Sequence, residues 1–171
     1  PFANEELYDW DFACSDLASQ KSWWATGTQS GYHAITQGYL IGEVVKRITG
    51  KSFGTFFREE IAERIDADFH IGVDPKHFNR IADLVPAITT APLLEMDPDS
   101  IPGRVFGGLD IDPENSTGTA GWRQAEIPAA NGHGNARSVV RAQTAMANNG
   151  KAFGVELLSE DGCLRALEPQ T

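Results

Sequence analysis

The chain has 171 residues, 41% of them hydrophobic and 22% charged, so it can bury one core, and its composition indicates neither disorder nor a fibrous repeat. A formal net charge of −10 argues against a duplex nucleic-acid binder, which needs clustered lysine and arginine to face the phosphates. Two cysteines, Cys14 and Cys163, indicate neither a disulfide framework nor a zinc site, and we expect both to be buried thiols.

The N-terminal segment predicts one helix followed by a loop. Asn4, followed by two glutamates, is typical of a helix N-cap, and the apolar residues after it predict a helix as far as about Gln20. Residues 23–31 contain two glycines and small polar side chains without helical periodicity, which predicts a loop. This loop leads directly to Tyr32.

The next segment predicts a helical hairpin. Apolar residues recur at helical spacing over 35–48, and Gly50 is a typical stop after the last turn. Ser52 can cap a second amphipathic helix that runs to about Ile65. Because the two apolar stripes are joined by a short turn, we expect the two helices to pack against each other.

Regular structure is predicted to be sparse after the hairpin. Alternation over 69–73 predicts a short strand, and an Asp-Pro pair predicts a helix over 74–84. The many prolines and glycines over 85–128 predict an irregular region that contains only one helical turn, at 93–96.

The C-terminal segment predicts two more helices. Residues 131–135 form a turn cluster in front of a helix over 136–148, which Gly150 closes. Ser159 can cap a last helix. The whole pattern predicts a mainly α-helical fold with long irregular loops and at most short strands, organised as a single domain over residues 1–171.

The sequence contains no run of about 18 apolar residues and no N-terminal signal pattern, which favours a cytoplasmic location. Any signal in front of this stretch would lie outside the chain. His70 and His77 have no carboxylate at ligand spacing, so we expect neither a metal nor another cofactor.

Two stretches resemble class C β-lactamases and the related family VIII-type esterases. The first is the run SGYHAITQGYLIGEVV, which begins at Ser30; in that family a Tyr-x-Asn or Tyr-Ser element opens a helix here. The second is NGHGNARSVVR, which begins at Asn131 and is similar to a loop and helix that lead back towards the family's β-sheet. The resemblance spans about residues 23 to 165 and implies the helical lobe of a β-lactamase/transpeptidase-like fold.

The resemblance implies that Tyr32 is the general base of a serine hydrolase that acts through an acyl-enzyme. A serine hydroxyl is a weak nucleophile and must lose its proton as it attacks; in this family a tyrosine and a lysine do that work. Ala34 stands where β-lactamases carry the Asn of Tyr-x-Asn, which favours the esterase-like members. A small ester or amide is the expected substrate, with β-lactams as a less favoured class.

The family's Ser-x-x-Lys motif does not occur in the 171 residues, since no lysine has a serine three positions before it. We predict that the nucleophile lies in another part of a longer hydrolase. The chain would then be a fragment of that enzyme's catalytic domain and would have no activity by itself.

Three further residues are candidates for substrate contact. Trp23 and Trp24, just before Tyr32, could wall an acyl pocket or could anchor the loop to the core. His133, between two glycines, could line the mouth of a pocket or could be solvated in a turn. His33 is expected to bond to a neighbour rather than to take part in catalysis.

A second interpretation belongs to another class of protein. The chain could be a non-catalytic helical interaction module that keeps the shape of the lobe. In either case the face normally covered by the sheet would be large and apolar, which predicts contact with the remaining segments of the hydrolase or with a second copy. Neither a nucleic acid nor a membrane is an expected partner.

Overall fold

The computed structural model describes residues 5–85, 97–106 and 116–169. Within these ranges the helices are α1 Trp10–Ser19, α2 Gln37–Thr49, α3 Phe53–Phe57, α4 Ile101–Phe106, α5 Ala120–Gln124, α6 Ala136–Ala147 and α7 Glu160–Ala166. The strands are β1 Phe69–Ile71, β2 Gly132–Gly134, β3 Lys151–Ala152 and β4 Val155–Glu156. The prediction of a mainly helical fold with short strands is confirmed. None of the helices in these ranges is long and apolar enough to cross a lipid bilayer.

The first helix begins later than predicted. The Asp9 side chain caps α1 by accepting a hydrogen bond of 2.9 Å from the Phe12 N–H. A 3₁₀ turn, Glu6–Tyr8, precedes the cap, and Asn4 lies outside the described residues. Asp9 lies inside the predicted helix, but its backbone is extended. The α-helix therefore starts after Asp9, which acts as its N-cap.

The predicted hairpin of α2 and α3 is confirmed. Gly50 ends α2 with a φ of 72° and donates its N–H to the Lys46 carbonyl. Ser52 starts α3, since its Oγ accepts from the Thr55 N–H at 3.3 Å. The second helix ends at Ile65 as predicted, but its later part changes to a π turn and then to a 3₁₀ turn.

The core lies between α1, α2 and α5, around Tyr39. The Tyr39 hydroxyl donates to the Leu7 carbonyl at 2.5 Å, and its ring lies 5.2 Å from that of Trp10. The buried cluster around Tyr39 consists of Leu7, Ala13, Trp122 and Ile127. Burial raises the pKa of Tyr39 well above that of a free phenol. The hydroxyl therefore stays protonated and remains a donor.

Two glycines bring α2 close to its neighbours. A Cβ at Gly42 would stand 2.4 Å from Trp10, and a Cβ at Gly38 would stand 2.8 Å from the backbone nitrogen of Ala129. Residues four apart lie on the same helix face. This face of α2 thus packs directly on α1 and on the loop after α5, without room for a side chain.

The predicted strand β1 is confirmed, but the turn predicted at 131–135 is wrong, because this segment contains β2. The two strands are antiparallel, and their register pairs Phe69 with Gly134, His70 with His133, and Ile71 with Gly132. A Cβ at either glycine would stand 2.4 Å from the Phe69 ring. The glycines here make room for an aromatic ring across the ladder, a long-range contact that local turn propensity does not report.

The region 85–128 is less irregular than predicted, because α4 and α5 both lie in it. Pro102 is compatible with α4 since it stands in the first turn, where its missing N–H has no partner to lose. Thr119 caps α5 by accepting from the Trp122 N–H at 3.2 Å. The turn predicted at 93–96 lies outside the described residues.

The remaining predicted helices begin at the predicted residues. Asp74 begins a helix as expected, but it is a 3₁₀ turn, Pro75–Arg80, that stops before residue 84. Gly150, with a φ of 86°, follows α6 as predicted, and Ser159 caps α7. The hairpin of β3 and β4 was not predicted.

Both cysteines are free thiols. Cys163 is buried, whereas Cys14 is only partly buried, so the expectation of two buried thiols holds in full for one of them. Burial, with the charge of Glu43, raises the pKa of Cys14 to about 11. Its thiol is protonated and unreactive at neutral pH.

The close approach of α2 to α1 predicts the effect of Gly42→Ala. The added methyl would overlap the Trp10 ring, so we expect the free energy of unfolding to fall by about 1–3 kcal/mol. Helix propensity alone would raise it by about 1 kcal/mol. Denaturant titration measures the difference, with Gly118→Ala as control because nothing lies within 4 Å of that site. A stabilised Gly42→Ala protein would contradict this packing.

Candidate active site

The loop between α1 and α2 presents Tyr32 at the surface. The residue is 72% exposed, and its ring stacks on Phe106 of α4 with centroids 6.1 Å apart and 27° between the planes. One face of the phenol is therefore supported by an aromatic ring. The hydroxyl can be reached from outside without displacing any core residue.

Trp24 fixes the path of the loop in front of Tyr32. Its indole N–H donates to the Gln29 carbonyl at 3.2 Å. Its ring covers Gly31, where a Cβ would stand 2.6 Å from the indole. A larger residue at this position would make either the indole or the loop shift, so the glycine allows this close packing of Trp24 on the chain in front of Tyr32.

The residue after Tyr32 ties the loop to the start of α2. His33 Nδ1 lies 2.9 Å from the hydroxyl of Thr36, which occupies the N-cap position of α2. The prediction that His33 bonds to a neighbour is confirmed. Tyr32 is thus held between a turn anchored by Trp24 and a helix start.

Trp23 contacts Trp24 on one side and α4 on the other. The two indoles meet edge to face, with centroids 6.4 Å apart. The Arg104 Cζ lies 3.8 Å from the centroid of the Trp23 ring, a distance at which a guanidinium stacks on an aromatic face. The short helix α4 therefore supplies both Arg104 and the Phe106 ring that supports Tyr32.

Tyr32, Trp23 and Trp24 line one open cleft of about 610 Å³. This volume is in the range of small-molecule sites. Apolar contacts come from Leu40 and from Ile101 and Val105 of α4. The charged side chains among the described lining residues are Asp16, Lys21 and Arg104.

His133 lines a different cleft, of about 500 Å³, together with His70, His77 and Trp122. Among the described residues, the linings of the two clefts share no member. The structure thus brings three of the four candidate residues together and leaves His133 apart. β2 directs the His133 backbone opposite His70 instead of into a solvated turn.

Asn131 holds the segment in front of His133. It is buried, accepts from the Ile127 N–H at 2.9 Å, and donates to the carbonyls of Trp122 at 2.8 Å and Ala125 at 2.6 Å. Sequence reasoning assigned this Asn-Gly pair to a turn, and nothing in its local pattern indicates a buried amide.

Two histidines of the second cleft lie close to each other. His70 Nε2 lies 3.0 Å from Asp68 Oδ1, and its ring centroid is 5.6 Å from that of His77. Across the described parts of the chain, no three His, Cys, Asp or Glu side chains are grouped so that they could hold a metal ion.

Sequence reasoning missed Arg104 and Phe106. Both lie in the proline-rich stretch that was predicted to be irregular, and neither belongs to a recognisable motif. Their contacts with Trp23 and Tyr32 depend on α4 packing beside the loop between α1 and α2, which is distant in the chain.

Sequence comparison relates the chain to one family. A family model described as "Beta-lactamase" matches residues 1–161. The chain is 34% identical over 142 residues to an esterase/beta-lactamase, LipL, of Mycobacterium tuberculosis (strain ATCC 25618 / H37Rv), a match that covers 78% of this chain and 33% of the relative.

Two solved structures are similar over nearly the whole chain. A penicillin-binding protein homolog from Caulobacter crescentus is 32% identical with a TM-score of 0.83, covering 100% of this chain and 45% of that one. A family VIII carboxylesterase is 32% identical with a TM-score of 0.82, and the match covers 95% of this chain and 42% of the carboxylesterase. The chain therefore has the fold of a helical portion of these proteins and spans less than half of each relative's length.

The environment of His133 predicts a pH dependence of stability. Burial, with smaller effects of Arg123 and His70 and opposed by the Asn131 backbone, lowers the pKa of His133 below 6.5. The unfolded chain then binds a proton more readily, so stability is full above about pH 6.5 and falls as the pH drops towards the folded-state pKa.

We therefore expect the Tm of His133→Gln to fall less than the Tm of the wild type when the pH is lowered from about 7.5 to about 5.5. Thermal melts at the two pH values measure this. His33→Gln is the control, because His33 is exposed. An equal loss in His133→Gln and wild type would show that burial of His133 does not destabilise its charged form.

Proposed function

The chain belongs to the beta-lactamase family, and from this premise we propose that it is the helical part of a serine hydrolase with Tyr32 as the general base of acylation. One observation carries the proposal: the phenol is 72% exposed at a cleft that two tryptophans also line. A tyrosine with a structural role would be expected in the core, as Tyr39 is. The nucleophile and its lysine belong to a part of the longer polypeptide outside this chain.

The proposed reaction has two halves. In acylation the serine Oγ attacks the carbonyl carbon of an ester or amide while Tyr32, as phenolate, takes the Oγ proton. The bond to the leaving alcohol or amine breaks as the leaving group takes this proton from Tyr32, which becomes a phenolate again. In deacylation water attacks the acyl-enzyme, releases the acid and restores the serine hydroxyl. The positive charge that favours a phenolate would come from the family's lysine.

The proposed substrates are small esters or amides, with esters first. Ala34 lacks the amide that β-lactamases use at this position, and two of the similar proteins are named as an esterase and a carboxylesterase. Trp23 and Trp24 are proposed to contact the acyl group because they line the Tyr32 cleft. His133 would contact only a substrate that extends into the second cleft.

The alternative, a non-catalytic interaction module, is favoured by one surface. Ile41, Val44 and Ile48 are 50%, 57% and 78% exposed along α2. An exposed apolar stripe of this kind can pack against the rest of the hydrolase or against another protein. The alternative differs in predicting that Tyr32 has no effect on any reaction.

The proposal predicts the kinetics of Tyr32→Phe in the complete hydrolase. Loss of the base should lower kcat/KM for a para-nitrophenyl ester by about a hundredfold to ten-thousandfold, the usual contribution of general base catalysis. The Tm should be unchanged because the hydroxyl is exposed. Tyr8→Phe is the matched control in the packed part of the chain. Unchanged kinetics in Tyr32→Phe would remove this residue from the mechanism.

A second prediction concerns the 171 residues by themselves. Without a Ser-x-x-Lys motif they should hydrolyse an activated ester no faster than buffer does. Turnover of a para-nitrophenyl ester by the purified chain, proportional to its concentration and resistant to repurification, would show that a nucleophile lies within it.

A further inference from the structure

We propose that Arg104 makes the Tyr32 cleft selective for esters whose acyl group carries a carboxylate, such as half-esters of dicarboxylic acids. The inference rests on the proposed function, since it concerns the substrate of that same site. It follows from the position of the guanidinium, from its surroundings and from the sign of charge in the cleft.

The guanidinium is oriented by stacking. Its Cζ lies 3.8 Å from the centroid of the Trp23 ring, so one face of the planar group is covered by the indole. The N–H donors of arginine point outward in the plane of the group and match the two oxygens of a carboxylate. A stacked arginine loses little freedom when it forms such a pair, because the aromatic platform already restricts it.

The same short helix connects this group to the proposed base. Phe106, two residues after Arg104, stacks on Tyr32 with ring centroids 6.1 Å apart. A substrate whose carbonyl lies near the Tyr32 hydroxyl would therefore have Arg104 as a neighbour in the same cleft. The proposal is that one acyl group carries both the reacting carbonyl, at Tyr32, and the carboxylate, at Arg104.

The described lining of the cleft is opposite in charge to the chain as a whole. The chain has a formal net charge of −10, yet the described lining of the cleft contains two cations, Lys21 and Arg104, and one carboxylate, Asp16. Asp16 also accepts a hydrogen bond of 3.0 Å from the side-chain amide of Gln20, the residue that follows α1. No ion pair of Arg104 is found with the other described residues. Its charge therefore remains available to an anionic substrate.

The test compares two esters of equal chain length on the complete hydrolase, mono-para-nitrophenyl glutarate and para-nitrophenyl pentanoate. Arg104→Gln should lower the ratio of kcat/KM for the glutarate half-ester to kcat/KM for the pentanoate by about tenfold or more, the scale of one charge-assisted hydrogen bond. Arg47→Gln is the control for a change of net charge, because Arg47 is an exposed residue that pairs with Glu43 on α2. It should change neither rate.

Arg104→Lys provides a second variant that keeps the charge but not the planar fork, and it should lose part of the preference for the half-ester. An equal effect of Arg104→Gln on both esters, or none on either, would overturn the role of Arg104. The proposed function fails separately, when Tyr32→Phe hydrolyses the neutral pentanoate as fast as the wild type.

Discussion

The position of the candidate base depends on how closely α2 packs against α1 and the loop after α5. Gly38 and Gly42 remove the side chains from one face of α2, and Tyr39, next to this face, is buried with its hydroxyl bonded to the Leu7 carbonyl. Because α2 cannot shift without breaking these contacts, the position of its first turn is fixed. Tyr32 stands five residues before that turn and is tied to it through His33 and Thr36.

Neighbouring contacts explain why the candidate base can be exposed and yet well placed. An exposed tyrosine on an unsupported loop would sample many orientations and lose the benefit of positioning. Here Trp24 holds the loop in front of Tyr32, and the Phe106 ring supports the phenol from α4. The phenol itself is 72% exposed. Membership of the beta-lactamase family gives this arrangement its chemical interpretation.

Local signals predicted the parts of the fold that depend on nearby residues. The apolar period of α2, the left-handed Gly50 and the Ser52 cap each act within a few residues, and the structure confirms all three. The strand β2 was missed because its glycines accommodate the Phe69 ring from a distant strand. Arg104 was missed for the same reason: its importance comes from Trp23, which no sequence pattern near residue 104 indicates. Tyr32 was singled out only through a family resemblance, since a tyrosine before a helix is usually structural.

The most direct test of the account is a pH profile of acylation with a fluorinated tyrosine incorporated at position 32 of the complete hydrolase. Fluorine makes a phenol more acidic, and the acidic limb of the profile reports the ionisation of the essential base. The account predicts that this limb moves to lower pH in the fluorinated enzyme while the same substitution at position 8 leaves it in place. A limb that stays at the same pH in both proteins would show that another group takes the serine proton.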